Sequence, residues 1–238
     1  MRSNVIISGT GRCGTTFLML IFTFLGLDTG FNSTNYSFDI DETANSGLEK
    51  DLNFAYIVKS PAYLQCINDV VMETDIDWMI IPVRDYEDAA LSRYKLGSGV
   101  RGGLWDATNA TDQMYMYWRI MAKYIKKMVK YQIPTIFLDF DRMIISQRYT
   151  YDKLKPVLGD VTFANFKIAY TKATLHQRKK SSLFKRIEEQ DTFVSKTKIA
   201  DEIIDNLPDS NNTDIIDQAL AVADAAVEEP PLPSPDEI

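Results

Sequence analysis

A short β-branched run, Asn4–Ser8 (NVIIS), leads directly into GTGRCGTT at Gly9–Thr16 and then into an apolar stretch, Thr15–Gly26. No other feature of the chain limits its fold as tightly. A strand stopped by glycine and followed within one turn by a helix leaves the first N–H groups of that helix pointing beyond the strand end. This is the arrangement in which backbone amides cradle a phosphate-like anion. Read without a ligand, the same turn is a tight βα connection.

The turn keeps the glycine and threonine spacing of the nucleoside-triphosphatase loop G-x-x-x-x-G-K-[ST] at Gly9, Gly14 and Thr16, but Thr15 stands in the lysine position. The cation is Arg12, inside the loop. In a triphosphate site the lysine offsets charge on the β- and γ-phosphates and the last Ser/Thr holds Mg²⁺. A sulfuryl group, SO₃, leaves from a phosphosulfate whose sulfate end carries a single charge, so an arginine with backbone N–H groups suffices for it and no metal is required. ATP held with a substituted lysine is the alternative.

Along the rest of the chain, strand and helix signals alternate, which predicts an α/β fold with a central, mainly parallel sheet flanked by helices. Further strands are expected at Phe54–Val58, Trp78–Val83 and Thr135–Asp139, and helices at Ala62–Thr74, Tyr86–Leu96 and Asp112–Gln132. The last helix has Met114, Trp118, Met121, Ile125 and Met128 at three- and four-residue spacing, a core-facing stripe. Thr29–Asn53 and Gly97–Asn109 read as long functional loops. Residues 1–200 form the expected domain. The acidic, Pro-rich tail 201–238 is expected to be disordered or to hold one marginal helix, Asp214–Glu229, behind Thr213.

A net charge of -7 argues against nucleic acid and other anionic ligands, but the charge is unevenly placed. Residues 201–238 hold eleven acidic and no basic residues, leaving 22 acidic against 26 basic in the body. An anionic ligand is therefore compatible with the body, while no nucleic-acid partner is expected. Two cysteines, Cys13 and Cys66, make no disulfide framework. The apolar run Phe17–Leu27 is shorter than the ~20 residues of a membrane span and lacks a signal-peptide context. These readings point to a cytoplasmic protein.

After the third strand signal comes PVRDYEDAALSRY, with Arg84 at the strand end and Ser92 eight residues later. Ligands of open α/β sheets sit beyond the carboxyl ends of the strands, so Arg84 faces the crevice of the glycine loop. Ser92, two helical turns on, reaches it only if the ligand is long and has a second anionic group.

GTGRCGTTFL together with PVRDYEDAALSRY resembles the sulfotransferases that use 3′-phosphoadenosine 5′-phosphosulfate (PAPS), enzymes of the P-loop nucleotide-binding type. FAYIVKSPAYL at Phe54–Leu64 is similar to the KxP element of carbohydrate and bacterial sulfotransferases, and TIFLDFDRM with LKPVLG to a later family element. The resemblance spans about residues 4–160. It implies that Gly11, Arg12, Cys13, Gly14, Thr15 and Thr16 bind the 5′-phosphosulfate and that Arg84 and Ser92 bind the 3′-phosphate. It implies that Lys59 reaches the scissile S–O–P bridge and that no metal is needed.

Arg12 and the loop N–H groups suit charge stabilisation, and a loop carboxylate suits the general base. Asp39, Asp41, Glu42 and Glu49 are available for that role, with Glu49 preferred because it lies where the chain re-enters the sheet. Arg178–Ser182 is the candidate for a later donor loop or a solvated turn. Asp139 reads as a strand-end cap or a metal-binding acid, and His176 as a surface residue. Trp105 is a stacking platform for an acceptor or a plug for its loop. The acceptor is a small molecule, sugar or lipid, with the KSP element tilting towards carbohydrate.

Overall fold

The computed structural model describes residues 3–32, 47–49, 51–99 and 102–178. Asp39, Asp41, Glu42, the Arg178 side chain, residues 179–182 and the whole acidic tail, with its expected helix, lie outside the described residues. Four parallel strands, β1 (Ser3–Ile7), β2 (Ile57–Lys59), β3 (Asp75–Val83) and β4 (Thr135–Asp139), form one sheet in the order β2-β1-β3-β4. Helices flank it: α1 (Thr15–Phe24), α2 (Ile67–Glu73), α3 (Tyr86–Tyr94), α4 (Ala110–Tyr131), α5 (Phe140–Ile145), α6 (Gln147–Leu158) and α7 (Phe163–Arg178). The chain is thus an α/β fold. By contacts it divides after Thr174, and of the second unit only the end of α7 is described.

β1 is an inner strand, with Ile6 opposite Val58 on one side and Met79 on the other. Covered on both faces, it reads as a continuous apolar run instead of an alternating one. Ile6, Val58, Met79 and Ile81 pack against Leu64, against Ile67 and Val70 of α2, and against Ile120, Met121 and Tyr124 of α4. At the foot of the sheet the buried Asn4 donates from Nδ2 to the carbonyls of Leu52, Ala55 and Tyr56, and its Oδ1 accepts from Thr74 Oγ1 at 2.6 Å. One amide therefore ties together the chain entering β2 and the chain entering β3.

Three expected elements differ from those observed. β2 begins at Ile57, not Phe54, because Phe54 closes a turn onto Asp51 and Asp28 takes the N–H groups of Tyr56 and Ile57. The helix expected over 62–74 is split into a 3₁₀ turn, Pro61–Leu64, capped by Ser60, and α2. In α4 the buried face is Gln113, Tyr117, Ile120, Met121 and Tyr124, while Trp118 and Ile125 are 59% and 46% exposed. The stripe is displaced by one position. Two of its members end in polar groups with partners inside: Tyr124 Oη meets Thr135 Oγ1 at 2.8 Å, and Gln113 Oε1 accepts the Trp105 N–H at 2.7 Å. Counting only apolar residues misses such a face.

Burial pushes the phenols of Tyr117 and Tyr124 up to about 12. A folded pKa above the unfolded value of 10 gives stability that is complete below pH 10 and lost as pH rises through 12. Two units correspond to about 2–3 kcal/mol for each buried phenol. Lys59, whose pKa burial lowers, acts in the opposite sense, but only up to its ordinary 10.5. The urea midpoint is therefore expected to fall steeply between pH 10 and 12, with tyrosinate absorbance at 295 nm rising in step with unfolding. Tyrosinate that forms fully near pH 10 in the folded protein would refute the assignment.

Candidate anion site

The sheet order reverses at β1 and β3: the chain leaves β1 for β2 on one side and returns past it to β3 on the other. The crevice at such a switch point, beyond the carboxyl ends of the strands, is where open α/β sheets bind ligands. Here it is bounded by the Gly9–Gly14 turn after β1 and by Arg84 after β3.

The turn is held in left-handed backbone at Gly11 (φ 84°), Arg12 (φ 58°) and Gly14 (φ 84°). Gly14 begins α1 with no side-chain cap and no acid in the first turn. By contrast α3, α4, α5 and α6 begin with caps from Asp85, Asn109, Asp139 and Ser146. The first N–H groups of α1 therefore keep their capacity for an anion. The Cys13 side chain is fully buried beneath the turn, against Gly9, and burial pushes its thiol pKa up. Its side chain packs, and only its backbone is placed to meet a ligand. A Cβ on Gly14 would lie 2.6 Å from Met143 Cε and 3.1 Å from the Phe140 ring, so α5 backs the turn closely.

Three guanidiniums gather here. Arg84 Nη1 donates to the Arg12 carbonyl at 3.2 Å, and its Cζ stands 4.9 Å from the Phe140 ring centroid. Arg12 Nε donates to Ser92 Oγ at 3.1 Å. Ser92 thus meets the loop itself, two turns into α3, where the sequence expectation required a long ligand to reach it. Arg93, the next residue, was not singled out by sequence. It is 4% exposed, its Nη1 donates to the Gly103 carbonyl at 2.6 Å, and its Cζ lies 5.4 Å from the Trp105 ring centroid.

The Nε atoms of Arg84 and Arg93 and the Tyr117 hydroxyl are buried with no hydrogen-bond partner. Among the described residues none of the three arginines makes an ion pair. Burial and then the charges of Arg93 and Arg84 lower the pKa of Arg12. A cluster of like charges with orphaned donors and no carboxylate partner among the described residues has donor capacity left for an anion.

Beside Thr16 and Glu49, at the end of β2, Lys59 is completely buried. Its Nζ donates to Gly47 O at 2.7 Å and Thr16 Oγ1 at 3.3 Å, and it pairs with Glu49 Oε1 at 3.1 Å. Lys59 is therefore not the exposed lysine that a turn before Pro61 also allowed. Burial lowers its pKa, opposed by Glu49. Glu49, Gly11, Arg12, Thr15, Ser60–Ala62, Arg93, Gly102 and Trp105 line one cleft of about 50 Å³. The half-buried Trp105 packs on the core, as the plug reading expects, and also lines this cleft.

Asp139 accepts the Arg142 N–H at 2.8 Å and so caps α5, the plainer of its two readings. Asp141 has its carboxyl pKa raised, first by burial and then by Asp139, with Arg84 opposing. His176 is half-buried on α7. Among the described residues no group of three His, Cys, Asp or Glu could hold a metal ion, and no helix is long and apolar enough to cross a membrane. No family model, curated protein or solved structure matches the chain.

Proposed function

We propose that the chain is a sulfotransferase that moves a sulfuryl group from PAPS to a hydroxyl or amine of a sugar, lipid or small-molecule acceptor. The observation that carries this reading is the meeting of Arg84 and Ser92 on Arg12 at the uncapped start of α1. Two anion-binding elements more than 70 residues apart in sequence, each expected for one end of the donor, share a residue. In this reading Gly9–Thr16 works as a P-loop without its lysine. Arg12 and the amides of residues 11–16 bind the 5′-phosphosulfate, and Arg84 and Ser92 the 3′-phosphate.

The acceptor oxygen or nitrogen forms its bond to sulfur as the bond from sulfur to the 5′-phosphate oxygen breaks. Adenosine 3′,5′-bisphosphate leaves, and the acceptor proton passes to Glu49. Lys59 offsets the charge growing on the leaving oxygen by exchanging its 3.3 Å contact with Thr16 for that oxygen. The two free cysteines suit a reducing compartment such as the cytoplasm.

Calorimetry tests the donor. Adenosine 3′,5′-bisphosphate is expected to bind at least tenfold more tightly than 5′-AMP, since each charged hydrogen bond to the 3′-phosphate contributes ~1.5–3 kcal/mol. The difference should persist in EDTA. Equal affinities for the two nucleotides would overturn the reading.

A further inference from the structure

We propose that Arg93 binds the group being transferred, and that with Arg12 and the amides of the turn it forms a pocket for one tetrahedral oxyanion. The inference rests on the sulfotransferase reading for the identity of that oxyanion, the sulfuryl end of the donor. The pocket itself is argued from the geometry alone.

A guanidinium that is 4% exposed and has no carboxylate partner among the described residues is costly to bury. Its Gly103 bond and the Trp105 face hold it in place without neutralising it. Its Nε remains without an acceptor, on a side chain that lines the cleft. The same cleft takes in Gly11, Arg12 and Thr15, the residues that surround the start of α1. Among the described residues that line it the one acid is Glu49, whose charge is offset by Lys59 at 3.1 Å.

The cleft, of about 50 Å³, is small and suits a compact anion. Arg93 also follows Ser92 directly, and consecutive residues of a helix point about 100° apart. So α3 directs Ser92 at the outer side of Arg12 and Arg93 at the inner cleft. The 3′-phosphate and the sulfuryl group are then read by neighbouring residues of one helix.

Adenosine 3′,5′-bisphosphate and PAPS differ only by the sulfuryl group, which makes them the discriminating pair. Both are titrated calorimetrically into the wild-type protein, Arg93→Gln and Arg93→Lys. Arg93→Gln is expected to weaken PAPS at least tenfold and to leave the bisphosphate within twofold, with Arg93→Lys intermediate. An equal loss for both nucleotides would assign Arg93 to shaping the loop and overturn the proposal, as would no loss. If the wild-type protein binds neither nucleotide, the donor reading fails. The pocket is then tested with sodium sulfate against sodium chloride at matched ionic strength. Saturable thermal stabilisation by sulfate that disappears in Arg93→Lys supports it, and equal responses overturn it. Should Arg93→Gln not fold, the Arg93 Nε–H resonance of the wild-type protein gives the answer. It must shift with PAPS and hold still with the bisphosphate, and the absence of that difference overturns the proposal.

Discussion

Glu49→Gln is expected to destabilise the folded protein by about 3–5 kcal/mol, the cost of leaving a buried charge without its counter-ion. Lys59 is wholly buried and the Glu49 side chain is 15% exposed, so water cannot take the carboxylate's place. The loss has a ceiling, because Lys59 can shed its proton. Doing so at pH 7 from the ordinary 10.5 costs about 5 kcal/mol at 1.36 kcal/mol per unit.

The sign of the pH dependence follows. With the folded pKa of Lys59 below its unfolded value, the unfolded chain binds more protons across that window, and stability rises with pH. Burial already lowers this pKa in the presence of Glu49. Removing the carboxylate widens the window downwards, so Glu49→Gln should recover part of its loss between pH 7 and 9.5. The double variant Glu49→Leu/Lys59→Met should return to within about 1–2 kcal/mol of wild type while transferring no sulfate. Urea unfolding of the three proteins at two pH values checks this. A Glu49→Gln loss below 1 kcal/mol, or one that deepens with pH, would refute the buried pair.

The second large effect is expected at Gly11. At φ +84° any side chain there adopts left-handed backbone, which costs roughly 1–2 kcal/mol. A Cβ would also collide with Arg93 Nη2 and stand 3.2 Å from its Cζ. Arg93 can yield only by giving up Gly103 or Trp105. Gly26→Ala is the control, because it shares the positive φ and has open space around the added carbon. Both variants should lose the backbone increment in thermal unfolding. Only Gly11→Ala should lose PAPS binding, by about a hundredfold, the size of two charge-assisted contacts. Equal binding by the two variants would show that the turn tolerates displacement of Arg93.

Much of this site was legible in the sequence because its parts are local patterns. The spacing of Gly9, Gly14 and Thr16 specified the turn, and Arg84 and Lys59 stand at strand ends, where a parallel sheet delivers side chains to one edge. Glu49 was preferred for its nearness to the second strand, and it does face Lys59. Arg93 was not legible. Its importance comes from the approach of Gly11 and Gly103, neither of which has a side chain to signal contact. The α4 face was misplaced for a related reason. Tyr117, Tyr124 and Gln113 count as polar or ambiguous in a hydrophobicity pattern, yet fill the interior once their polar ends find neighbours or lie beside Arg93. The break between Leu64 and Ile67 has no strong punctuating residue, since Gln65 and Cys66 tolerate helix, and only the 3₁₀ turn begun by Ser60 and Pro61 sets it.

The inner position of β1 has a consequence for biosynthesis. β1 is flanked by β2 and β3, and its register with β3 pairs residues about 70 positions apart. A ribosome adding 5–20 residues per second needs roughly 4–14 s to supply that partner. During this interval the apolar β1 can pair with β2 on one edge, while its other edge has no partner. Nascent chains that end before Val83 carry an uncovered apolar hairpin of strand and helix, a natural client for holding chaperones. The anion site assembles only after Arg84 and Arg93 have emerged.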